Sequence, residues 1–207
     1  MTLPAGIERR EVDGESALAT RGPPVGTEAV AEEWRRWDPR RSKLAAMLEL
    51  GLDTGPLDGP VLYLGAAAGT TVSHVADVGG PTYAVEFAPR PMRDLVDVAA
   101  DRDNLFPLLK DARAPERYAH VVEPVTVLVQ DVATRGQADV ALANRQFLDP
   151  DGRLLLSVKA RSEDVTRDPN AVFDEVLDRL ETGFDVESTV DLAPFHDDHL
   201  AVLAVPA

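Results

Sequence analysis

The chain contains no cysteine in 207 residues, which removes disulfides, thiolate metal ligands and cysteine nucleophiles together. Lysine is almost as scarce. Only Lys43, Lys110 and Lys159 are lysines among 21 basic residues, and the rest are arginines. A lysine kept in such a chain points to a place that needs a compact ammonium rather than arginine's broad planar fork. Positive charge is short overall, because 36 acidic residues leave a net charge of −15. A nucleic-acid binder uses a basic face to displace counterions from phosphates, so this chain repels RNA at low salt. Two conditions relieve that repulsion: strong screening, with a Debye length of about 3 Å at 1 M salt, or a partner that holds the nucleic acid. Long apolar runs are missing too. None approaches the ~20 residues that span a bilayer, and residues 1–16, MTLPAGIERREVDGES, lack the apolar centre of a signal peptide. A cytoplasmic protein without membrane attachment is expected, and a hydrophobic content of 44% is ordinary for one principal soluble domain.

What is present is organised around Val61 to Arg90, VLYLGAAAGTTVSHVADVGGPTYAVEFAPR. The apolar run Val61 to Leu64 stops at Gly65, and small residues lead to Gly69. Thr70 and Thr71 then open a helical pattern, and Tyr83-Ala84-Val85 ends on Glu86. This predicts a strand, a tight turn, a helix and a second strand, with a nucleoside site built in. Gly65 and Gly69 allow backbone angles and close approaches that a Cβ would block, so a ligand can lie against main-chain N–H groups at the helix start. Glu86 follows Gly65 at roughly the ~20-residue distance at which an acidic residue accepts hydrogen bonds from ribose hydroxyls. The spacing is G-x-x-x-G rather than G-x-G-x-x-G. A single adenosine-type ligand such as S-adenosylmethionine therefore fits better than a nicotinamide dinucleotide, and a glycine turn with a surface glutamate is the plain alternative.

Taken in order, Ile7–Val12 and Ser16–Thr20 predict a short hairpin, followed by a loop at Gly22-Pro23-Pro24. Asp38 as cap and Pro39 in the first position predict a helix that carries Lys43 in its second turn and stops at Gly51. After Glu86 the pattern gives a helix from Pro89 to Arg102, a strand from Leu105 to Leu109 ending at Lys110-Asp111-Ala112, and a strand from Val125 to Val129 ending at Gln130-Asp131. A helix from Arg135 to Leu148 and a turn at Asp149–Gly152 lead to a fifth strand, Leu154–Val158, which ends at Lys159. Pro169–Leu180 reads as the last helix, and Phe184–Leu192 and His199–Val205 as a closing strand pair. Continuously apolar strands fit a parallel sheet covered on both faces, and such sheets bind ligands outside their carboxyl ends. Gly65, Glu86, Asp111, Asp131 and Lys159 all fall at such ends.

The segments WDPRRSKLAA (Trp37–Ala46), YLGAAAGTTVSHVADV (Tyr63–Val78), YAVEFAPRPMRDL (Tyr83–Leu95), KDAR (Lys110–Arg113), QDVA (Gln130–Ala133), VKARSEDVTRDP (Val158–Pro169) and PFHDDH (Pro194–His199) resemble archaeal fibrillarin, in family order. Fibrillarin is the S-adenosylmethionine-dependent RNA 2′-O-methyltransferase of box C/D ribonucleoproteins. The resemblance implies an α/β class I methyltransferase fold. It has a Rossmann-like seven-stranded sheet whose last strand is antiparallel, a methyltransferase domain over residues 37–207 and a small N-terminal β extension over 1–36. It implies cofactor contacts from Gly65, Ala66, Gly69, Thr70 and Thr71 at the turn, Glu86 and Phe87 at the ribose and adenine, Asp111 and Ala112 at the adenine edge, and Asp131, Val132, Ala133 and Thr134 along the methionine side. Two positions depart from the family's pattern: Ala68 stands where a serine is common, and Thr134 where glutamine is. Backbone contacts survive both changes.

By the same resemblance, Lys43, Asp131, Lys159 and His199 are the catalytic set, so two of the three lysines fall on catalytic positions. Methyl transfer to a ribose hydroxyl needs an in-line approach and loss of the hydroxyl proton. An ammonium favours the developing charge, and a carboxylate can orient the hydroxyl or accept its proton. Lys159 ends an apolar strand where a solvated side chain gains little, although a lysine snorkelling from a sheet edge would look the same. His196 and His199 form H-x-x-H without the glutamate-bearing H-E-x-x-H pattern or a cysteine ligand, so no metal site is expected. His74 and His120 receive no role. Lys110 reads as a surface charge at a strand end, and Arg113 and Arg161 are candidates for phosphate contacts. The expectation is an RNA 2′-O-methyltransferase acting on rRNA, with tRNA as a further substrate, weak in binding RNA alone and dependent on a box C/D scaffold protein and guide RNA. A methyltransferase of the same fold acting on protein or a small molecule, and a non-catalytic subunit of an RNA particle, are the alternatives.

Overall fold

In the computed structural model, which describes residues 3–207, the chain opens with two tight hairpins where the sequence predicts one. Residues 1 and 2 of the expected extension lie outside the described residues. β1 (Glu8–Val12) pairs antiparallel with β2 (Glu15–Arg21) through Asp13 and Gly14, both at positive φ, the two-residue turn that right-twisted strands prefer. β3 (Val30–Ala31) and β4 (Trp34–Arg36) form the second hairpin through Glu32 and Glu33, also at positive φ (51° and 73°). The order β1-β2-β4-β3 makes one small sheet.

This sheet is welded to the rest by its buried side chains. Ile7 and Leu18 belong to the same apolar cluster as Trp37, Leu44 and Val75. Arg35, wholly buried, reaches Asp77 through Nη1 (2.8 Å), Ser73 Oγ through Nη2 (2.8 Å) and Glu28 Oε2 through Nε (2.9 Å). Asp77 also accepts from Arg102 (3.1 Å) and from the Thr20 hydroxyl (2.8 Å). Thr20 in turn accepts from His74 Nδ1 (2.7 Å), since its one proton goes to Asp77. Trp37 stacks on the His74 ring at 4.8 Å.

The main sheet has the order β10-β11-β9-β8-β5-β6-β7. Its parallel centre is β5 (Val61–Leu64), β6 (Thr82–Glu86), β7 (Leu105–Leu109), β8 (Val125–Gln130) and β9 (Leu148–Lys159). β10 (Phe184–Asp191) and β11 (His199–Pro206) complete it, with the last strand, β11, antiparallel to both its neighbours. This is the expected α/β methyltransferase-type sheet. Alternate residues of β5 serve opposite faces: Val61 and Tyr63 join one core, Leu62 and Leu64 the other. The helices α1 (Lys43–Glu49), α2 (Thr70–Val78) and α3 (Pro89–Ala99) supply buried residues to the first core. The helices α4 (Gln137–Asn144) and α6 (Pro169–Leu180) supply the second, and α5 (Ala160–Glu163) is a single turn after β9. Among the described residues no helix is long and apolar enough to cross a membrane.

Three local expectations are corrected. Helix α1 starts at Lys43, not at Pro39, because Asp38 closes a turn onto Arg40 N–H and Arg41 N–H while Ser42 accepts from Ala45 N–H as the true cap. Proline suits the second position of a turn as well as it suits a helix start. Helix α4 starts at Gln137, because Gly136 precedes it at φ 73°. The turn residues Asp149–Gly152 lie inside β9, where pairing jumps from Leu148 opposite Val125 to Arg153 opposite Val127, so they form a bulge.

Candidate active site

The chain reverses its winding direction at β5, with β6 on one side and β8 on the other, and the site opens at the carboxyl ends of these strands. Gly65 is required by the close approach of β8: a Cβ there would lie 2.3 Å from the Asp131 carbonyl oxygen, and its φ is 84°. The N–H groups of Gly65 and Ala66 both donate to the Val85 carbonyl. The start of α2 is the open end. Its cap is Gly69 at φ 93°, which has no side chain to satisfy the first-turn amides, so Thr70 and Thr71 present N–H groups where an anionic group is favoured.

Beside this turn lies a cavity of about 370 Å³ lined by Gly65, Glu86, Phe87, Asp111, Ala112 and the run Asp131–Thr134, among others. Glu86 accepts one backbone N–H on each oxygen, from Ala67 (3.0 Å) and Ala88 (2.7 Å). A carboxylate has about four acceptor positions, so each oxygen keeps one for a ribose hydroxyl. Phe87 stands 68% exposed at the rim as an apolar platform. The Asp111–Ala112 segment is pinned from behind, because the Ala112 carbonyl accepts from buried Asn144 at 2.8 Å. Arg113 forks onto Asp111 with bonds of 2.7 to 3.1 Å, and this holds the Asp111 carboxyl below its ordinary range against the opposing effect of burial. Of the predicted contacts, Ala66, Gly69, Thr70 and Thr71 lie outside the lining of this cavity. Thr70 lines a second, more polar hollow of about 220 Å³ with Trp37, Ser42 and Glu28.

The four predicted catalytic residues come from α1, β9, β11 and, for Asp131, the first position after β8. Lys43, the first residue of α1, places Nζ 3.0 Å from both carboxylate oxygens of Asp131, and both side chains are about one quarter exposed. Lys159 ends β9 directly opposite His199, the first residue of β11, in the antiparallel register. His199 is buried, and its Nδ1 lies 2.6 Å from the Asp197 carbonyl, which only accepts, so Nδ1 carries the proton and Nε2 is a lone pair. Burial holds the imidazole pKa below its usual 6.5. The Asp197 carbonyl opposes this, the Lys43 charge and His196 reinforce it, and Asp131 opposes it. Lys110 and Arg113 line the cavity, while Arg161 is tied to Asp198 at 2.8 Å.

Sequence reasoning missed Tyr63, fully buried on β5, whose phenol pKa is raised well above its usual value by burial first and by the Asp131 charge second. It also missed Asn144 and the buried Gln130 and Gln137. Polar residues within helix and strand patterns carry no signal of which neighbour they bond.

A model of the fibrillarin family matches residues 9–207. A Haloarcula marismortui protein named fibrillarin-like rRNA/tRNA 2′-O-methyltransferase is 66% identical over 207 residues, covering 100% of this chain and 99% of its own. A chain of a solved fibrillarin/Nop5p complex superposes with a TM-score of 0.91 at 37% identity, covering 100% of both chains. Aeropyrum pernix fibrillarin, solved with natively bound S-adenosyl-L-methionine, superposes with a TM-score of 0.84 at 39% identity, covering 99% of this chain and 100% of its own. With the glycine turn, Glu86 and the Lys43–Asp131 pair in place at the strand ends, this chain belongs to the fibrillarin family.

Proposed function

We propose that the chain is an S-adenosylmethionine-dependent RNA 2′-O-ribose methyltransferase, acting on rRNA and tRNA in the cytoplasm within a guide-RNA-directed box C/D ribonucleoprotein. The observation that carries this reading is the Lys43–Asp131 contact at 3.0 Å, with His199 and Lys159 paired across two strands and Asp131 lining a cavity of about 370 Å³. The residues present fit the cofactor. Glu86 has free acceptor positions for its ribose, exposed Phe87 offers apolar surface for its adenine, and the uncapped start of α2 suits its carboxylate. When bound, S-adenosylmethionine would supply an electrophilic methyl group on a sulfonium.

The chain's own residues do the rest. Methylation of a ribose hydroxyl requires loss of its 2′ proton, and Asp131, partly open to solvent, is placed to orient and receive it. The ammonium groups of Lys43 and Lys159 favour the charge that develops on the oxygen. His199 contributes a neutral ring whose Nε2 is shut off from solvent and without a partner, so it adds no third positive charge beside Asp131.

Net charge and pairing both support a partner that holds the RNA. The charge is −15, and Arg113 and Arg161 are committed to Asp111 and Asp198 rather than free for phosphates. A box C/D scaffold protein that docks on this chain, with a guide RNA, supplies what the surface lacks. Methyl transfer from labelled cofactor in a particle rebuilt with scaffold and guide RNA tests the reading. Lys159→Ala is expected to lower the rate by about 10²–10³-fold with an unchanged melting temperature. Full activity in that variant would overturn the assignment of Lys159, and no heat on titrating S-adenosylmethionine would reject the cofactor site. Locating the methyl group on a product ribose excludes a protein or small-molecule methyltransferase of the same fold.

A further inference from the structure

Strand β9 outruns its neighbour. β8 ends at Gln130, which pairs with Leu156, so Ser157, Val158 and Lys159 continue with no strand on that side. On the other side β11 accompanies them to the His199–Lys159 pair, and the next peptide is held by Ala160 N–H donating to the Asp198 carbonyl at 3.0 Å. Backbone groups alternate along a strand, so the N–H and C=O of Lys159 face the side that β8 has vacated. A side chain fills the gap. Lys159 N–H donates to Gln137 Oε1 at 2.9 Å, and Gln137 Nε2 donates to the Lys159 carbonyl at 3.1 Å. One wholly buried amide thus takes the place of a strand residue.

The amide is itself held in one orientation. Its second N–H donates to Glu163 Oε1 at 2.9 Å, and the same carboxylate accepts Gln137 N–H (2.7 Å) and Gly136 N–H (2.8 Å) at the start of α4. Turned over, the amide would set a donor against Lys159 N–H. The Gln137 carbonyl accepts from Gln130 Nε2 at 2.8 Å, and Gln130 immediately precedes Asp131. A single residue therefore ties the backbone of Lys159 to the strand that carries Asp131.

We infer that Gln137 is a positioning residue for Lys159: its amide fixes the strand end from which the Lys159 ammonium reaches the 2′ oxygen. The inference rests on the reading that Lys159 acts at that oxygen. Misplacement of a reacting group by about 1 Å costs about 10²-fold in rate, and Gln137→Met, similar in length but unable to hydrogen-bond, releases the constraint.

The test is a four-way comparison in the reconstituted particle of the unaltered chain, Gln137→Met, Lys159→Ala and the double variant. Single-turnover methylation rate and calorimetric affinity for S-adenosylmethionine are measured for each. Gln137→Met is expected to lose about 10²-fold in rate with cofactor affinity unchanged. The double variant is expected to be no slower than Lys159→Ala alone, because residues acting as one unit are not additive. A double variant that shows the product of the two losses, or a Gln137→Met variant with an unaltered rate, overturns the inference while leaving Lys159 catalytic. An active Lys159→Ala overturns the assignment of Lys159 and this inference with it. If Gln137→Met does not fold, Glu163→Gln puts the question from outside the buried amide. It is expected to lose rate in the same direction and to add nothing in the Lys159→Ala background, and an additive loss overturns the inference.

Discussion

Two clusters of charge in this protein are built on different terms. At the junction with the N-terminal sheet, Arg35 and Arg102 face Glu28 and Asp77, and no side chain of the four is more than 5% exposed. Two cations meet two anions, and Thr20 and Ser73 fill most of the remaining positions. At the strand ends, Lys43 and Asp131 are about one quarter exposed, and Lys159 has no acidic partner among the described residues. Closed charge holds backbone elements in one arrangement, whereas incomplete charge leaves positions for a substrate to fill. The difference separates the ions that shape the protein from those that act.

Breaking the closed cluster gives the largest expected effect. Arg35→Ala leaves Glu28 and Asp77 buried with one cation fewer, and removing one partner of a buried pair costs about 3–5 kcal/mol. Denaturant unfolding of the variant checks this, and the methylation rate per folded molecule in the reconstituted particle is expected to stay near that of the unaltered chain. Breaking the open cluster reverses the pattern. Asp131→Asn keeps the shape but removes the charge, so the single-turnover rate is expected to fall by about 10²–10⁴-fold while the melting temperature hardly moves. If Arg35→Ala lowered the rate without lowering stability, or Asp131→Asn did the opposite, the distinction between the clusters would be wrong.

These two clusters were not equally legible in the sequence. Asp131 and Lys159 end apolar strands, and that position alone marks them, because the carboxyl ends of parallel strands are where such sheets bind ligands. Arg35, Asp77 and His74 lie within or beside patterns that read as ordinary helix and hairpin surface. Nothing local says that β4 carries Arg35 into the interior, because the turn that forms the β3–β4 hairpin consists of Glu32 and Glu33. Positive φ is uncommon outside glycine, asparagine and aspartate, so a Glu-Glu turn gives no sign of itself, whereas Asp13-Gly14 announces the first hairpin. The same limit hid Gln137: a helix pattern shows neither that the residue is buried nor that its amide completes a strand.

The two buried histidines set the smallest test of the comparison: both bear on stability, and His199 alone bears on the rate as well. Both have pKa values held below the ordinary 6.5, each chiefly by burial. For His74, Glu28 opposes the shift and Arg35 reinforces it; for His199, the Asp197 carbonyl opposes it and Lys43 reinforces it. On acidification the unfolded chain therefore takes up these protons first, and stability present above pH 6.5 is lost as pH falls toward the folded values. Glu28 acts in the same direction over a lower range: burial raises its pKa, but His74, the Val25 N–H and Arg35 together bring it below 4.5. Protonating His199 adds charge beside Asp131, so the rate should follow the same acid limb. Because that pKa lies below 6.5, the rate at pH 6.5 should remain within about twofold of its plateau and fall about tenfold per unit only further down. His74→Gln should flatten the part of the melting-temperature curve that begins to fall near pH 6.5 and leave the acid limb of the rate in place. His199→Gln should remove that limb from whatever rate remains. Should the two variants exchange these effects, the closed cluster would be coupled to catalysis after all, and charge buried at the N-terminal junction would have to be counted as part of the active site.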